Sequence, residues 1–121
     1  PAQLAHNMGK AEDTIKKYSE KELTKRFDEL PKKLADAIVS QQTLDVLQSI
    51  AKENAVAKEY PKLLRYTTAI LFGILPIKLL RETIQEELQI DEERARKIAM
   101  EIRDKIFMQV QDELRKIHNL G

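Results

Sequence analysis

The densest group of chemically active side chains is an acidic stretch, EELQIDEER, at residues 86–94. Its carboxylates could hold a divalent cation, because Ca²⁺ and Mg²⁺ prefer oxygen ligands. A calcium-binding loop alternates its ligands and needs a glycine at its sixth position, and this stretch has neither feature. The spacing instead predicts that Glu86 and Glu87 end one helix and that Asp91 caps the next. We therefore predict no metal site here.

The remaining candidates for catalysis are two histidines, His6 and His118. Neither has a second metal ligand or an acid–base partner at a suitable spacing. The chain has no cysteine, which excludes disulfides and thiolate chemistry, and its glycines at positions 9, 73 and 121 are too dispersed for a phosphate-binding loop. No nucleophile-elbow motif is present. We predict a protein that is not an enzyme, with no catalytic residues, no cofactor, no metal and no small-molecule substrate.

A cluster of lysines near the start of the chain suggests contacts with phosphate groups. The candidates are Lys21, Lys25, Lys32 and Lys33. Against this, the formal net charge is only +1, from 21 basic and 20 acidic residues, and acidic residues lie between the lysines. A nucleic-acid-binding protein usually shows a basic patch or stripe. A nucleic-acid-associated helical protein that uses this basic N-terminal third is therefore the alternative function, and not the favoured one.

The elements that would position these side chains are predicted to be helices. Three glycines and four prolines in 121 residues leave little material for turns, and 34% of the residues are charged. Ser19 and Glu22 have the spacing of a capping box, and Pro31 and Pro61 are placed where helices begin. We predict helices over residues 19–30, 31–39, 41–54, 59–75, 77–89 and 91–118. The last of these would be about 40 Å long. Residues 1–18 are interpreted as a flexible leader or linker, and residues 19–121 as a single helical domain.

One apolar run, YTTAILFGILPI at residues 66–77, contrasts with the charged chain around it. It is too short for a membrane span, which needs about 20 apolar residues, and Arg65 and Lys78 close it at both ends. We interpret it as a core helix that is buried on all sides, in which Gly73 is tolerated because another helix crosses closely. The alternative is a partly exposed groove that accepts a partner helix, with Phe72, Leu75 and Ile77 off the inward face.

A set of mostly core and capping residues resembles small, uncharacterised all-helical domains of candidate-phyla bacteria. The resemblance covers roughly residues 27–117 and rests on Glu29-Leu30-Pro31, Ala37-Ile38, Ser40, Thr43, Leu71, Gly73 and Ile106-Phe107. It implies a bacterial, cytoplasmic protein. It carries no known activity and assigns no site residues.

The sequence as a whole predicts an all-α fold: a compact bundle of five to six helices, with a buried central helix at 66–75 and a long C-terminal helix at 92–118. The predicted function is a non-catalytic helical module for protein–protein interaction or assembly, with a protein partner or self-association. On the last helix, Phe107 and Met108 fall off the apolar stripe. Because aromatic residues are enriched at interfaces, we predict that these two residues, with Phe72 and Ile77, contact another chain.

Overall fold

A computed structural model describes residues 9–118, and these residues form helices joined by short connections, with no β-strand among them. The all-α class expected from the sequence is confirmed. The expected count of five to six helices is wrong, because the described residues form eight α-helices. They are α1 (Lys10–Lys16), α2 (Glu20–Glu29), α3 (Lys32–Val39), α4 (Gln41–Glu53), α5 (Tyr60–Leu71), α6 (Leu80–Leu88), α7 (Glu92–Lys105) and α8 (Gln111–Ile117). Short 3₁₀ helices cover Ala57–Glu59, Ile77–Leu79 and Phe107–Val110.

Two helix starts follow directly from their capping residues. The backbone N–H of Glu22 donates to Ser19 Oγ, and the N–H of Ser19 donates to Glu22 Oε1, each at 3.1 Å. Asp91 Oδ2 accepts from the N–H of Arg94, also at 3.1 Å. These bonds satisfy N–H groups that have no partner inside the helix. The capping box and the Asp91 cap predicted from the sequence are confirmed.

The apolar run at 66–77 is divided by Gly73 and does not form one helix. Gly73 has a φ of +78°, its N–H donates to the carbonyl of Ile70 at 2.9 Å, and the N–H of Ile74 donates to the carbonyl of Ala69 at 3.0 Å. This pattern is a Schellman motif, which commonly ends a helix at a glycine in the left-handed region. The prediction of a helix through residue 75 is therefore wrong, because α5 ends at Leu71.

The end of α5 is also where α2 and α8 approach it. A Cβ atom at Gly73 would lie 3.1 Å from both Arg26 Nη2 and Ile117 Cδ1. Arg26 donates through Nε to the carbonyl of Phe72 at 2.6 Å and through Nη2 to that of Gly73 at 3.2 Å. A cation at these carbonyls is favoured by the helix dipole. The absence of a side chain at Gly73 thus allows two other helices to contact this end of α5.

The predicted long C-terminal helix is wrong, because the chain turns at Ile106. α7 ends at Lys105, and residues 107–110 form a 3₁₀ turn before α8 begins. A 3₁₀ helix has about three residues per turn. In this arrangement the consecutive residues Ile106 and Phe107 are both only 5% exposed. The side chain of Gln109 donates to the carbonyl of Lys105 at 3.1 Å and so satisfies one acceptor at the end of α7.

The core is built mainly from aliphatic side chains of α3 to α8. α5 contacts α3, α4 and α6, and α7 contacts α4 and α6. Lys62 and Arg65 near the start of α5 are exposed. In the run at 66–75, Thr68, Phe72 and Gly73 are half-buried and the other residues are buried, so a central helix buried on all sides is not confirmed. The largest fully buried side chains are Leu34, Leu47, Ile50, Leu63, Ile70, Leu71, Leu75, Leu80, Ile84, Ile98, Ile102 and Leu114.

Helix α1 lies inside the region interpreted as a leader. Its Ala11 is 4% exposed and belongs to the same core cluster as the other helices. The division of the chain at residue 18 stays a prediction. None of the helices between residues 9 and 118 has the length and apolar character that crossing a membrane requires.

Candidate protein-binding groove

A groove with a volume of about 370 Å³ runs between α7 and α8, beside the 3₁₀ turns at 77–79 and 107–110. Phe107 and Leu114 line its floor and are only 5% and 2% exposed. We call it the methionine groove, because Met100 and Met108 stand at its edges. Its full lining is Ile77, Met100, Arg103, Asp104, Phe107, Met108, Gln111, Leu114 and Arg115.

The two methionines are unusually exposed for apolar side chains. Met100 is 52% and Met108 is 60% exposed, and Val39 is the third large hydrophobic residue exposed among residues 9–118. Two of these three exposed side chains therefore border one groove. Methionine is flexible and polarisable, and it is common on surfaces that adapt to different binding partners.

Three of the four predicted interface residues come together here. Met108 is exposed at the edge, Ile77 is half-buried, and Phe107 lies in the floor. The expectation that Phe107 projects outward is wrong, because the 3₁₀ turn directs it into the core. Phe72 lies elsewhere: its ring packs against Phe27, with the ring centroids 6.0 Å apart.

The edge of the methionine groove carries more positive than negative charge. Its lining contains two arginines, Arg103 and Arg115, and one acidic residue, Asp104. None of the ion pairs formed among residues 9–118 involves these two arginines. Both arginines are exposed.

The groove continues along the exposed side of α7. A second depression is lined by residues of α7 from Glu93 to Asp104, and it shares Met100 and Asp104 with the methionine groove. At 1.5 Å per residue, the whole stretch from Glu93 to Asp104 spans about 16 Å of helix surface. Arg96 is bonded to Glu92 at 2.9 Å, while Lys97 is in none of the ion pairs among the described residues.

The four lysines predicted to contact phosphate are all exposed. Lys32 donates to Asp36 at 2.8 Å, and this bond raises the pKa of the Lys32 ammonium group. Lys33 lines a different groove of about 270 Å³, together with Lys105 and Asp36. Lys21 and Lys25 lie on α2. Their role in binding phosphate stays a prediction.

A polar cluster that the sequence did not indicate joins α1, α5 and α6. Arg65 holds Glu12 through two bonds of 2.6 and 2.8 Å. The Tyr66 hydroxyl lies 2.7 Å from Glu12 Oε2 and 3.0 Å from Glu87 Oε1. Glu87 also accepts from the backbone N–H of Gly9 at 3.0 Å. We call Glu12, Arg65, Tyr66 and Glu87 the polar cluster.

The contacts within the polar cluster shift the pKa values of Glu12 and Tyr66. The hydrogen bond from Arg65 is the main reason that the pKa of Glu12 lies below its ordinary value. Burial, followed by the bonds to Glu12 and Glu87, raises the pKa of Tyr66 well above the usual range of tyrosine. Tyr66 is 2% exposed, so a substrate cannot reach its hydroxyl in this structure. The geometry therefore fits a structural tie between helices and not a catalytic site.

The histidines and carboxylates considered as catalytic or metal-binding residues are placed as follows. His118 Nε2 lies 3.0 Å from the carbonyl oxygen of Ile70 and so joins the end of α8 to α5. His6 lies outside the described residues. Between residues 9 and 118, no three His, Cys, Asp or Glu side chains are grouped so that they could hold a metal ion. Comparison with protein-family models, with curated proteins and with solved structures found no match.

Proposed function

We propose that this chain is a protein-interaction module that binds its partner in the methionine groove. The observation that carries the proposal is the pair of exposed methionines, Met100 and Met108, above an apolar floor. Apolar surface that stays exposed on a folded domain and has a polar rim often marks an interaction site. Arg103, Asp104 and Arg115 supply such a rim.

The dimensions favour a segment of polypeptide over a small molecule. Small-molecule pockets bury most of the ligand surface. The methionine groove instead continues into the depression along α7, and the two together form a surface that exceeds one compact pocket. A surface of this shape suits a partner that lies along α7.

A selection from a displayed random-peptide library tests the proposal. The protein is immobilised, and enriched peptides are then measured against a Met100→Gln/Met108→Gln double variant. Glutamine keeps the length of the side chain and removes its apolar end. We expect the double variant to weaken binding by about tenfold or more, since central interface residues often contribute over 1 kcal/mol.

The matched control is Val39→Gln, which alters the third exposed large hydrophobic residue, away from the groove. It should leave peptide binding unchanged. A selection that enriches no peptide, or enriched peptides that bind the double methionine variant as tightly as the parent, would contradict the proposal.

Self-association through the same groove is tested by the solution mass across a concentration series. A dimer that dissociates in the Met100→Gln/Met108→Gln variant, with its helicity unchanged, would identify a second copy as the partner. A monomer at all concentrations would direct the proposal to a different protein.

A further inference from the structure

We infer that the segment bound in the methionine groove is an amphipathic helix with carboxylates beside its apolar side chains. This inference rests on the proposed function and specifies the partner at the same site. Three properties of the groove carry it: its charge, its lack of a strand edge, and its length.

The charge of the rim selects for acidic partners. Arg103 and Arg115 are in none of the ion pairs among the described residues, and Asp104 is the one acid in the groove lining. The depression along α7 adds no net charge, because its lining holds equal numbers of cations and acids: Arg94, Arg96 and Lys97 with Glu93, Glu101 and Asp104. The positive excess therefore comes from Arg103 and Arg115. Complementary charge steers a partner to the surface and suppresses wrong partners. Carboxylates on both flanks of the apolar contact would lie close to these cations.

The secondary structure around the groove selects for a helix. A bound extended segment usually gains affinity by pairing its backbone with the edge of a sheet. The residues that line the groove are helical, and residues 9–118 contain no strand that could offer such an edge. A helix satisfies its backbone hydrogen bonds internally. It can therefore present apolar side chains to the groove without leaving backbone N–H and C=O groups unpaired.

The length of the surface sets the size of the helix. The depression along α7 extends over about 16 Å, and a helix of that length has about eleven residues, or three turns. Three turns place apolar side chains at positions i, i+3 or i+4, and i+7 on one face. Met100 is shared by both parts of the surface, so it lies where one such side chain would be seated.

A second copy of the chain fits this surface less well. In a symmetric dimer the same patch occurs on both sides of the interface. Two copies of the groove would bring together four arginines and two aspartates, which is an excess of two positive charges. A different, acidic partner avoids that repulsion.

Three synthetic peptides of about 18 residues test the inference by fluorescence anisotropy. The first has leucines at helical spacing with glutamates on both flanks, and the second has lysines in place of the glutamates. The third is a scrambled version of the first, which keeps composition and charge but loses the apolar face. We expect the glutamate peptide to bind about tenfold or more tightly than the other two.

Charge reversal in the protein separates this inference from non-specific attraction. The Arg103→Glu/Arg115→Glu variant should reverse the preference, so that the lysine peptide binds more tightly than the glutamate peptide. The matched control is Lys21→Glu/Lys25→Glu, which changes the same net charge on exposed residues of α2. This control should keep the preference for the glutamate peptide.

The outcomes distinguish the inference from the proposed function. If the two charged peptides bind equally, and both lose binding in the double methionine variant, the acidic partner is wrong and the groove remains the binding site. If the glutamate peptide binds without gaining helicity, the helical partner is wrong. If none of the peptides binds while library peptides do bind through the methionines, the inference is again overturned. Binding that does not depend on the methionines contradicts the inference and the proposed function together.

Discussion

The polar cluster buries a polar side chain, whereas the methionine groove exposes apolar ones. The polar cluster buries the hydroxyl of Tyr66 between two carboxylates and balances one of them with Arg65. The methionine groove leaves two apolar side chains in solvent and lines the edge with arginines that have no ion-pair partner among residues 9–118.

The two regions differ in whether their side chains have binding partners within the described part of the chain. In the polar cluster the groups that folding removes from water have partners inside the chain, as buried polar groups require. In the methionine groove the apolar and the charged side chains both have unused binding capacity. We therefore assign stability to the first region and propose partner binding for the second.

The largest expected effect is at the floor of the groove. Phe107→Ala should lower the free energy of unfolding by about 3–5 kcal/mol, because it removes a buried aromatic ring and leaves a cavity. Denaturation by urea measures this change. A loss below about 1 kcal/mol would show that the floor is not part of the core and would reopen Phe107 as an exposed contact.

The next largest effect is in the polar cluster. Tyr66→Phe should destabilise the fold by about 1.5–3 kcal/mol, because the buried hydroxyl donates its one hydrogen to a charged carboxylate. Tyr60→Phe, at a half-buried tyrosine outside the cluster, is the control and should change stability much less. Equal effects of the two substitutions would mean that the polar cluster does not stabilise the fold.

Acid should weaken the polar cluster through Glu12. Its pKa in the folded state lies below that of an ordinary glutamate, so its stabilising effect is present above about pH 4.3 and is lost as the pH falls further. Glu12→Gln removes this titrating group. Between about pH 7 and pH 3, the parent should therefore lose more stability than the variant. Parallel curves for the two proteins would contradict the role assigned to Glu12.

The smallest effect on stability is expected at the edge of the groove. Met100→Gln and Met108→Gln should each change the free energy of unfolding by less than about 0.5 kcal/mol, since both side chains are more than half exposed. Thermal unfolding followed by circular dichroism measures this. A substantial loss of stability would show that these methionines serve the fold and not a partner.

The sequence predicts the local features of this fold well. The capping residues Ser19, Glu22 and Asp91 are identified correctly, because each acts on backbone groups only a few residues away. Gly73 carries a usable signal too, since glycine is the residue preferred just after the end of a helix. Its position inside an apolar run made a continuous core helix the simpler interpretation.

The turn after α7 has no such signal. No proline or glycine lies between residues 92 and 118, and the apolar spacing suits one straight helix as well as two. The turn therefore depends on how Phe107 packs in the core. The methionine groove lies between α7 and α8, so it exists only because of this turn. The groove therefore could not be predicted from the sequence.

The polar cluster was missed for a different reason. Glu12 bonds to Arg65 and Tyr66 across 53 and 54 positions of sequence, and Gly9 bonds to Glu87 across 78. Spacing rules for helices compare residues three or four positions apart. Contacts between distant helices are set by tertiary packing, which those rules do not describe.

The central claim is that Met100 and Met108 bind a partner helix, and methyl NMR tests it most directly. The chain has three methionines, so labelling their methyl groups with ¹³C gives a spectrum of few signals, assigned by single Met→Leu variants. The glutamate peptide is then titrated into the labelled protein. We predict that the Met100 and Met108 signals shift together and reach saturation at one peptide per chain, and that neither shifts with the scrambled peptide. Signals that stay in place while the peptide binds, or that shift equally with both peptides, would contradict the account.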